Sequence, residues 1–317
     1  MNHFVLTIQD DGNELIAAES LALYNALPDS DGFTVCDHVA NVPRSAYSKL
    51  GGEILCRAAT SDQLVHEIDH LTLAAENFRV EVIKAQGGVS INSQKLIVDI
   101  ADVIDGVPKL RHPSETYVVI SRKSEWVFGR LSALPDHSWA KHAAKPYRTS
   151  SSLPARFARS IVNLVTRPGL HLINPCCGTG SIALEACHIG AHVSGADCNW
   201  KMVQMSRKNT AHFGYSADYA HSDIQNWAIK GDVLVTDLPY DRNCKTTESN
   251  VRGIIEASVG IAPRAVFVAE VDLRPWILDA GYQSAQRYRV PKSDNFTRHV
   301  FVATVSPNGS GSLTCSE

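Results

Sequence analysis

A carboxylate, a rigid proline and an aromatic ring stand together in Asp237-Leu238-Pro239-Tyr240, directly after the apolar run Val233-Leu234-Val235-Thr236. Such a run reads as a strand buried on both faces, which places the tetrapeptide at a strand mouth. The set suits chemistry on an exocyclic amine. The lone pair of that amine is delocalised into its ring, so it is a poor nucleophile. A carboxylate at Asp237 accepting one N–H, and the Leu238 carbonyl accepting the other, localise the pair. Tyr240 can stack on the base, which is worth roughly 1–3 kcal/mol, and hold it flipped out for attack on an activated methyl group. The plain alternative is a strand-ending turn with a packing tyrosine.

A second constellation lies upstream. Leu172-Ile173-Asn174-Pro175-Cys176-Cys177-Gly178-Thr179-Gly180-Ser181-Ile182 carries an apolar strand through a turn of small residues into a helix. Gly178 and Gly180 let a ligand approach the backbone, and the helix start offers N–H groups to an anion. One strand later Asp197 ends the run His192–Ala196, where a carboxylate can accept two ribose hydroxyls. Asp223, after a weaker strand at Asp218–His221, is placed to receive an adenine amino group. A helix cap is the plain reading of Asp197, and an exposed loop residue that of Asp223.

The elements that must position these groups follow from periodicity. Beyond Pro154 a helix (Pro154–Val165) leads into strand Leu170–Ile173. Then come helix Ile182–Ile189, strand His192–Ala196, helix Met202–Phe213, strand Val233–Thr236, helix Val251–Gly260 and strand Ala265–Ala269. This alternation predicts a parallel sheet with crossover helices, whose ligands bind at the carboxyl ends of the strands. Helix Pro275–Ala280 and a hairpin of Gln283–Val290 with Arg298–Val305, joined by a Pro-Lys-Ser-Asp-Asn turn, close the domain, and residues 306–317 read as a disordered tail.

The first 131 residues read as α+β. Strand-like runs fall at Phe4–Ile8, Phe33–Val39, Ala46–Leu55, Phe78–Ala85, Tyr117–Ser121 and Trp126–Leu131. Helical patterns fall at Glu14–Leu27, Asp62–Leu71 and Ser93–Ile104, the last with an Asn92-Ser93 cap. Residues 132–152 lack apolar periodicity and read as a linker, with the domain boundary near Pro146 and the second domain spanning 153–305.

The chain of 317 residues, 44% hydrophobic and 20% charged, has the composition of a folded globular protein. It has neither an apolar run long enough to cross a membrane nor the layout of a signal peptide, so a cytoplasmic setting is expected. Its eight scattered cysteines, with no Cys-x-x-Cys pair, suit reduced thiols and no structural metal. The net charge of −3 hides an asymmetry, because six Lys/Arg and no Asp or Glu fall between His137 and Leu184. Lys141, Lys145, Arg148, Arg156 and Arg159 of that stretch can track phosphates, making nucleic-acid binding salt-dependent.

Together these residues resemble the THUMP-domain tRNA guanine-N2 methyltransferases. The likeness runs from Lys145-Pro146-Tyr147 and Ser151-Ser152-Leu153-Pro154-Ala155-Arg156-Phe157-Ala158-Arg159 through Asn174-Pro175-Cys176-Cys177-Gly178-Thr179-Gly180 to Asp237-Leu238-Pro239-Tyr240. The chain departs from the family pattern at Asn174 (for Asp), Leu238 (for Pro), Thr149-Ser150 (for His-Pro) and Asp241 (for Gly). The resemblance implies an α/β protein: a Rossmann-like class I domain for S-adenosylmethionine (SAM), preceded by a ferredoxin-like segment and a THUMP-like module that grips tRNA. It assigns cofactor contacts to Ser151, Asn174, Pro175, Cys176, Gly178, Thr179, Gly180, Asp197, Cys198, Asp223 and Ile224, and catalysis to Asp237, Leu238, Pro239 and Tyr240. The implied reaction is methyl transfer to N2 of a tRNA guanosine, at position 10 by overall layout or at position 6, with a small activating protein subunit as a further partner.

Other readings of the residues remain open at this point. An Asp-Leu-Pro-Tyr tetrapeptide suits the adenine N6 amine of DNA as well. A dinucleotide oxidoreductase would need a third glycine that the turn lacks. A non-catalytic RNA-binding protein retaining the fold is the alternative outside enzymes.

Overall fold

The computed structural model describes residues 3–10, 13–89, 92–239, 247–293 and 296–305. Tyr240, Asp241 and the tail from 306 lie outside the described residues. The chain divides into two compact units, one built on residues 1–10, 24–43 and 47–135, the other on 11–23, 44–46 and everything from Asp136 onward.

In chain order the first elements are β1 (His3–Thr7), α1 (Glu14–Tyr24), β2 (Phe33–Cys36), β3 (Ser48–Ala58), α2 (Ser61–His70), β4 (Ala74–Lys84), α3 (Ser93–Ala101), β5 (Asp105–Pro108), β6 (Glu115–Ser121) and β7 (Trp126–Ala133). The strands form one seven-stranded sheet in the order β2-β1-β3-β7-β6-β4-β5. Thr60 and Asn92 start α2 and α3 as expected of N-caps, their side chains accepting from the amides of Gln63 and Lys95. Leu64 and Ile68, like Leu96 and Ile100, stand four apart, and they pack with Phe78, Tyr117 and Phe128 into one core. β5 escapes the sequence because Asp-Gly-Val-Pro has no apolar alternation, and Val107 there is exposed.

The second unit holds α4 (Ala155–Asn163), β8 (His171–Pro175), α5 (Ser181–Ile189), β9 (His192–Asp197), α6 (Trp200–His212), β10 (Asp218–His221), β11 (Val233–Asp237), α7 (Glu248–Val259), β12 (Arg264–Ala269), α8 (Arg274–Asp279), β13 (Ser284–Ser293) and β14 (Phe296–Thr304). Its seven-stranded sheet runs β10-β9-β8-β11-β12-β14-β13, with β8 to β12 parallel and β14 antiparallel. The strand order reverses between β8 and β11, and a parallel sheet opens a ligand crevice at that point. Leu172, Ile173, Leu234, Val235, Val266 and Phe267 have no exposed surface, as strands covered on both faces require. The hairpin strands outrun the expected ones. Pro291–Ser293 continue β13 past a register shift instead of forming the turn.

The stretch 132–152 is not a linker. A 3-10 helix spans His137–Ala144 and buries Trp139 and His142. His142 Nδ1 lies 2.8 Å from Glu185 Oε1 on α5, a contact between residues 43 apart in sequence that no local periodicity reveals. The C-terminal unit therefore begins near Asp136, and it recruits most of α1: Glu19 accepts hydrogen bonds from Ser45 Oγ at 2.8 Å, the Ala46 amide at 3.0 Å and Asn163 Nδ2 at 2.7 Å.

Candidate active site

At the carboxyl end of β8 the chain turns through three left-handed residues, Cys176 (φ 59°), Gly178 (φ 55°) and Gly180 (φ 81°). Glycine at 178 serves access as well as conformation. A Cβ built there meets nothing within 4 Å, so that side of the turn is open. At Gly180 a Cβ would come 3.1 Å from Ser206 Oγ, so α6 needs the missing side chain in order to pack on the turn. Ser206 Oγ in turn donates to the Gly178 carbonyl at 2.8 Å. Burial pushes the neighbouring Cys177 thiol up to about 12 and that of Cys176 well above the usual thiol range, which favours the protonated form of both.

Asp197, at the end of β9, closes the far side of the turn. Its Oδ2 accepts from the Gly178 amide at 2.9 Å and its Oδ1 from the Asn199 amide at 2.8 Å. Each oxygen keeps a lone pair for another donor. Burial raises its pKa, and the two amides and the nearby His221 pull the other way. Asp223 and Ile224 part company. Asp223 is exposed and caps a short 3-10 turn by accepting from the Gln225 amide at 2.9 Å, whereas Ile224 is buried. Cys198 is exposed beside Asp197.

A strap formed by residues 145–153 is tied to the turn by side chains that periodicity does not single out. Asn209 of α6 is fully buried. Its Oδ1 accepts from the Tyr147 amide at 2.9 Å, and its Nδ2 donates to the carbonyls of Tyr147 at 2.7 Å and Thr179 at 2.8 Å. Ser152 Oγ lies 2.9 Å from Thr179 Oγ1 and accepts from the Thr149 amide at 2.9 Å. Ser151 is exposed and touches Thr149 Oγ1 at 3.0 Å. The available sequence signal for Asn209 is a polar residue on the buried face of α6, between Val203, Ser206 and Thr210.

Two of the five expected phosphate-tracking residues cannot serve. Lys145 and Arg159 are 7% and 2% exposed. Lys145 Nζ donates to Ser181 Oγ at the start of α5, and its burial lowers its pKa to about 8. Arg159 donates to the Arg44 carbonyl at 2.8 Å and pairs with buried Glu185 at 3.8 Å. Lys141, Arg148 and Arg156 are exposed.

Asp237 ends β11, the strand beside β8 in the sheet and therefore beside the glycine turn. Backbone pairing of these strands covers Val233 with Leu172 and Leu234 with Ile173. Asn174 Nδ2 then donates to the Val235 carbonyl at 2.8 Å, and Thr236 Oγ1 donates to the Pro175 carbonyl. Asn174 Oδ1 is buried and has no hydrogen-bond partner among the described residues. Leu238 is buried, and its amide donates to the Val268 carbonyl at 3.0 Å, which fixes the start of the Asp-Leu-Pro turn. The glycine turn, Asp197 and Asp237 thus share one end of one sheet.

Residues 143–257, within the C-terminal unit, match the family described as UPF0020, RMKL-like, methyltransferase domain. A protein named tRNA (guanine(10)-N2)-dimethyltransferase from Methanothermobacter thermautotrophicus is 30% identical over 216 residues, 64% of each chain. The match thus spans slightly under two thirds of that relative. One of the same name from Pyrococcus abyssi is 22% identical over 68% of this chain and 71% of its own. The crystal structure of TrmN from Thermus thermophilus superposes with a TM-score of 0.53 at 17% identity, covering 96% of this chain and 100% of that one, which establishes a common fold. Among the described residues no helix is long and apolar enough to cross a membrane.

Proposed function

We propose that a chain with this methyltransferase domain uses SAM to methylate the exocyclic N2 amine of a guanosine in tRNA. The observation that carries the reading is the placement of Asp237 on the strand next to the glycine turn, with Asp197 bonded to that turn through the Gly178 amide. The residues present fit the cofactor. The open side of Gly178 leaves room against the backbone, Asp197 has lone pairs for two ribose hydroxyls, and Asn174, Pro175, Cys176, Thr179 and Gly180 form the floor. Ser151, Cys198, Asp223 and Ile224 border the same crevice in this reading. When bound, SAM supplies an electrophilic methyl group.

The chain's own residues do the rest. Asp237 and the Leu238 carbonyl accept the two N–H groups of the guanine amine and concentrate its lone pair. Pro239 holds the turn, and Tyr240 stacks on the base. The Asp237 carboxylate takes the proton that the amine gives up. The names of the archaeal relatives favour guanosine 10 and two successive transfers.

The N-terminal unit, in this reading, is the THUMP-like module that grips tRNA, with Lys141, Arg148 and Arg156 adding phosphate contacts from the C-terminal unit. A small activating subunit is a further partner, and free cysteines suit a cytoplasmic setting. The test is incubation with labelled SAM and unmodified tRNA beside Asp237→Ala, followed by nucleoside mass spectrometry. N2-methylated guanosine that is lost in the variant supports the assignment, and bound tRNA with no transfer refutes methylation by the chain acting alone, in favour of a partner-dependent enzyme or a binding-only protein.

A further inference from the structure

The burial of Lys145 and Arg159 removes charge from the surface expected to meet RNA, and α6 returns it elsewhere. Between Asp197 and Asp218 the sequence contains Lys201, Arg207 and Lys208 and no acidic residue. At 100° per residue, Trp200, Lys201, Arg207 and Lys208 share one side of α6, opposite the buried Val203, Ser206, Asn209 and Thr210. All four are exposed, Trp200 to 50%.

Two of the three cations on this side accompany an aromatic ring. The Arg207 guanidinium lies 5.7 Å from the Trp200 ring centroid, and Lys208 Nζ lies 5.1 Å from that of Tyr147. Tyr147 is itself 38% exposed and adjoins exposed Arg148. The Asn209 bonds to Tyr147 hold this second platform against α6. His221 meets the edge of Trp200 at 5.7 Å. Among the described residues Arg148, Lys201, Arg207 and Lys208 form no ion pair, so their charge is available to an anion.

We propose that this side of α6, with Tyr147 and Arg148, is a docking surface for a single-stranded stretch of the RNA substrate. Trp200 and Tyr147 stack on unpaired bases, and Lys201, Arg207, Lys208 and Arg148 receive the phosphates between them. Alternating rings and cations match the alternating bases and phosphates of a single strand, whereas duplex RNA hides its bases from stacking. α6 starts three residues beyond Asp197, so the surface begins at the mouth of the cofactor crevice. The inference rests on the reading of the C-terminal unit as a tRNA methyltransferase.

Anisotropy of fluorescently labelled, unmodified tRNA over a range of salt tests it on the full chain. The double variant Lys201→Ala/Lys208→Ala should weaken binding and reduce the slope of log K against log salt by roughly 1.4, at about 0.7 per single-strand phosphate. Trp200→Ala should weaken binding about tenfold and leave the slope unchanged. Melting temperature and calorimetric SAM affinity should match wild type in both. Wild-type affinity and slope in both variants overturn the proposal. So does equally tight binding of polyglutamate that depends on the same lysines, which would mark a site for acidic protein. If the wild type methylates tRNA while the variants bind it normally, the surface alone is wrong. If the wild type binds tRNA through this surface without methylating it, methylation by the chain acting alone is wrong and the surface stands.

Discussion

Asn174 donates through Nδ2 to the carbonyl of Val235 at 2.8 Å, a rung between β8 and β11 that begins where their backbone pairing stops. Thr236 Oγ1 and the Pro175 carbonyl supply the next rung. Side chains thus replace the backbone ladder at the point where the sheet opens its crevice, and the glycine turn is held in register with Asp237 by two short polar residues.

Asn174→Ala removes a fully buried donor and leaves the Val235 carbonyl without that bond. The expected cost is about 1–3 kcal/mol. Urea unfolding of the variant beside wild type measures it, and an unchanged midpoint would show that the rung carries no stability.

Gly178→Ala separates access from conformation. A side chain at φ 55° costs about 1–2 kcal/mol, and its Cβ meets no protein atom, so the variant should fold. That Cβ instead occupies the open side of the turn. Calorimetry should show SAM affinity reduced more than about tenfold with only a small fall in melting temperature, whereas equal affinity would place the cofactor elsewhere.

Asp197→Ala deletes the acceptor for the Gly178 and Asn199 amides together with the proposed ribose contact. SAM affinity should drop by about a hundredfold or more, since hydrogen bonds to a charged group contribute about 1.5–3 kcal/mol each. In the wild type the raised pKa means that the carboxylate protonates at a higher pH than an exposed aspartate. SAM affinity should therefore weaken on acidification before ordinary carboxylates titrate. A pH profile that is identical in Asp197→Asn would refute the link.

Lys145 offers a test in the alkaline range. Burial lowers its pKa from 10.5 to about 8, so between those values the unfolded chain holds a proton that the folded chain has shed. Stability contributed through this group therefore rises with pH across that window and levels off above it. The gain is at most roughly 3 kcal/mol. Lys145→Met removes the titration, and the difference in unfolding free energy between wild type and variant should climb from pH 8 to pH 10.5. A flat difference would show that the amine is not desolvated in solution.

Much of the C-terminal unit was legible in advance because its signals are local. Apolar runs such as Val233-Leu234-Val235 mark strands buried on both faces, their alternation with helices implies a parallel sheet, and small residues after a strand mark a turn that a ligand can approach. Asp197 and Asp237 follow directly, since a carboxylate at a strand end lies on the ligand-binding edge of such a sheet. Tyr240 belongs to the same reading but lies outside the described residues.

What only the tertiary structure decided concerns partners distant along the chain. The 3-10 helix at His137–Ala144 looked like a linker because its burial comes from Glu185 on α5, and Lys145 and Arg159 looked like surface charge because Ser181, Glu185 and Arg44 cannot be foreseen as their partners. Residues 13–23 join the C-terminal unit through Glu19 and Asn163, 144 positions apart. Periodicity reports which face of an element is apolar, and residue type reports which chemistry it can do. Neither reports which distant polar group will satisfy a buried charge, because that pairing exists only once the chain has brought the two together.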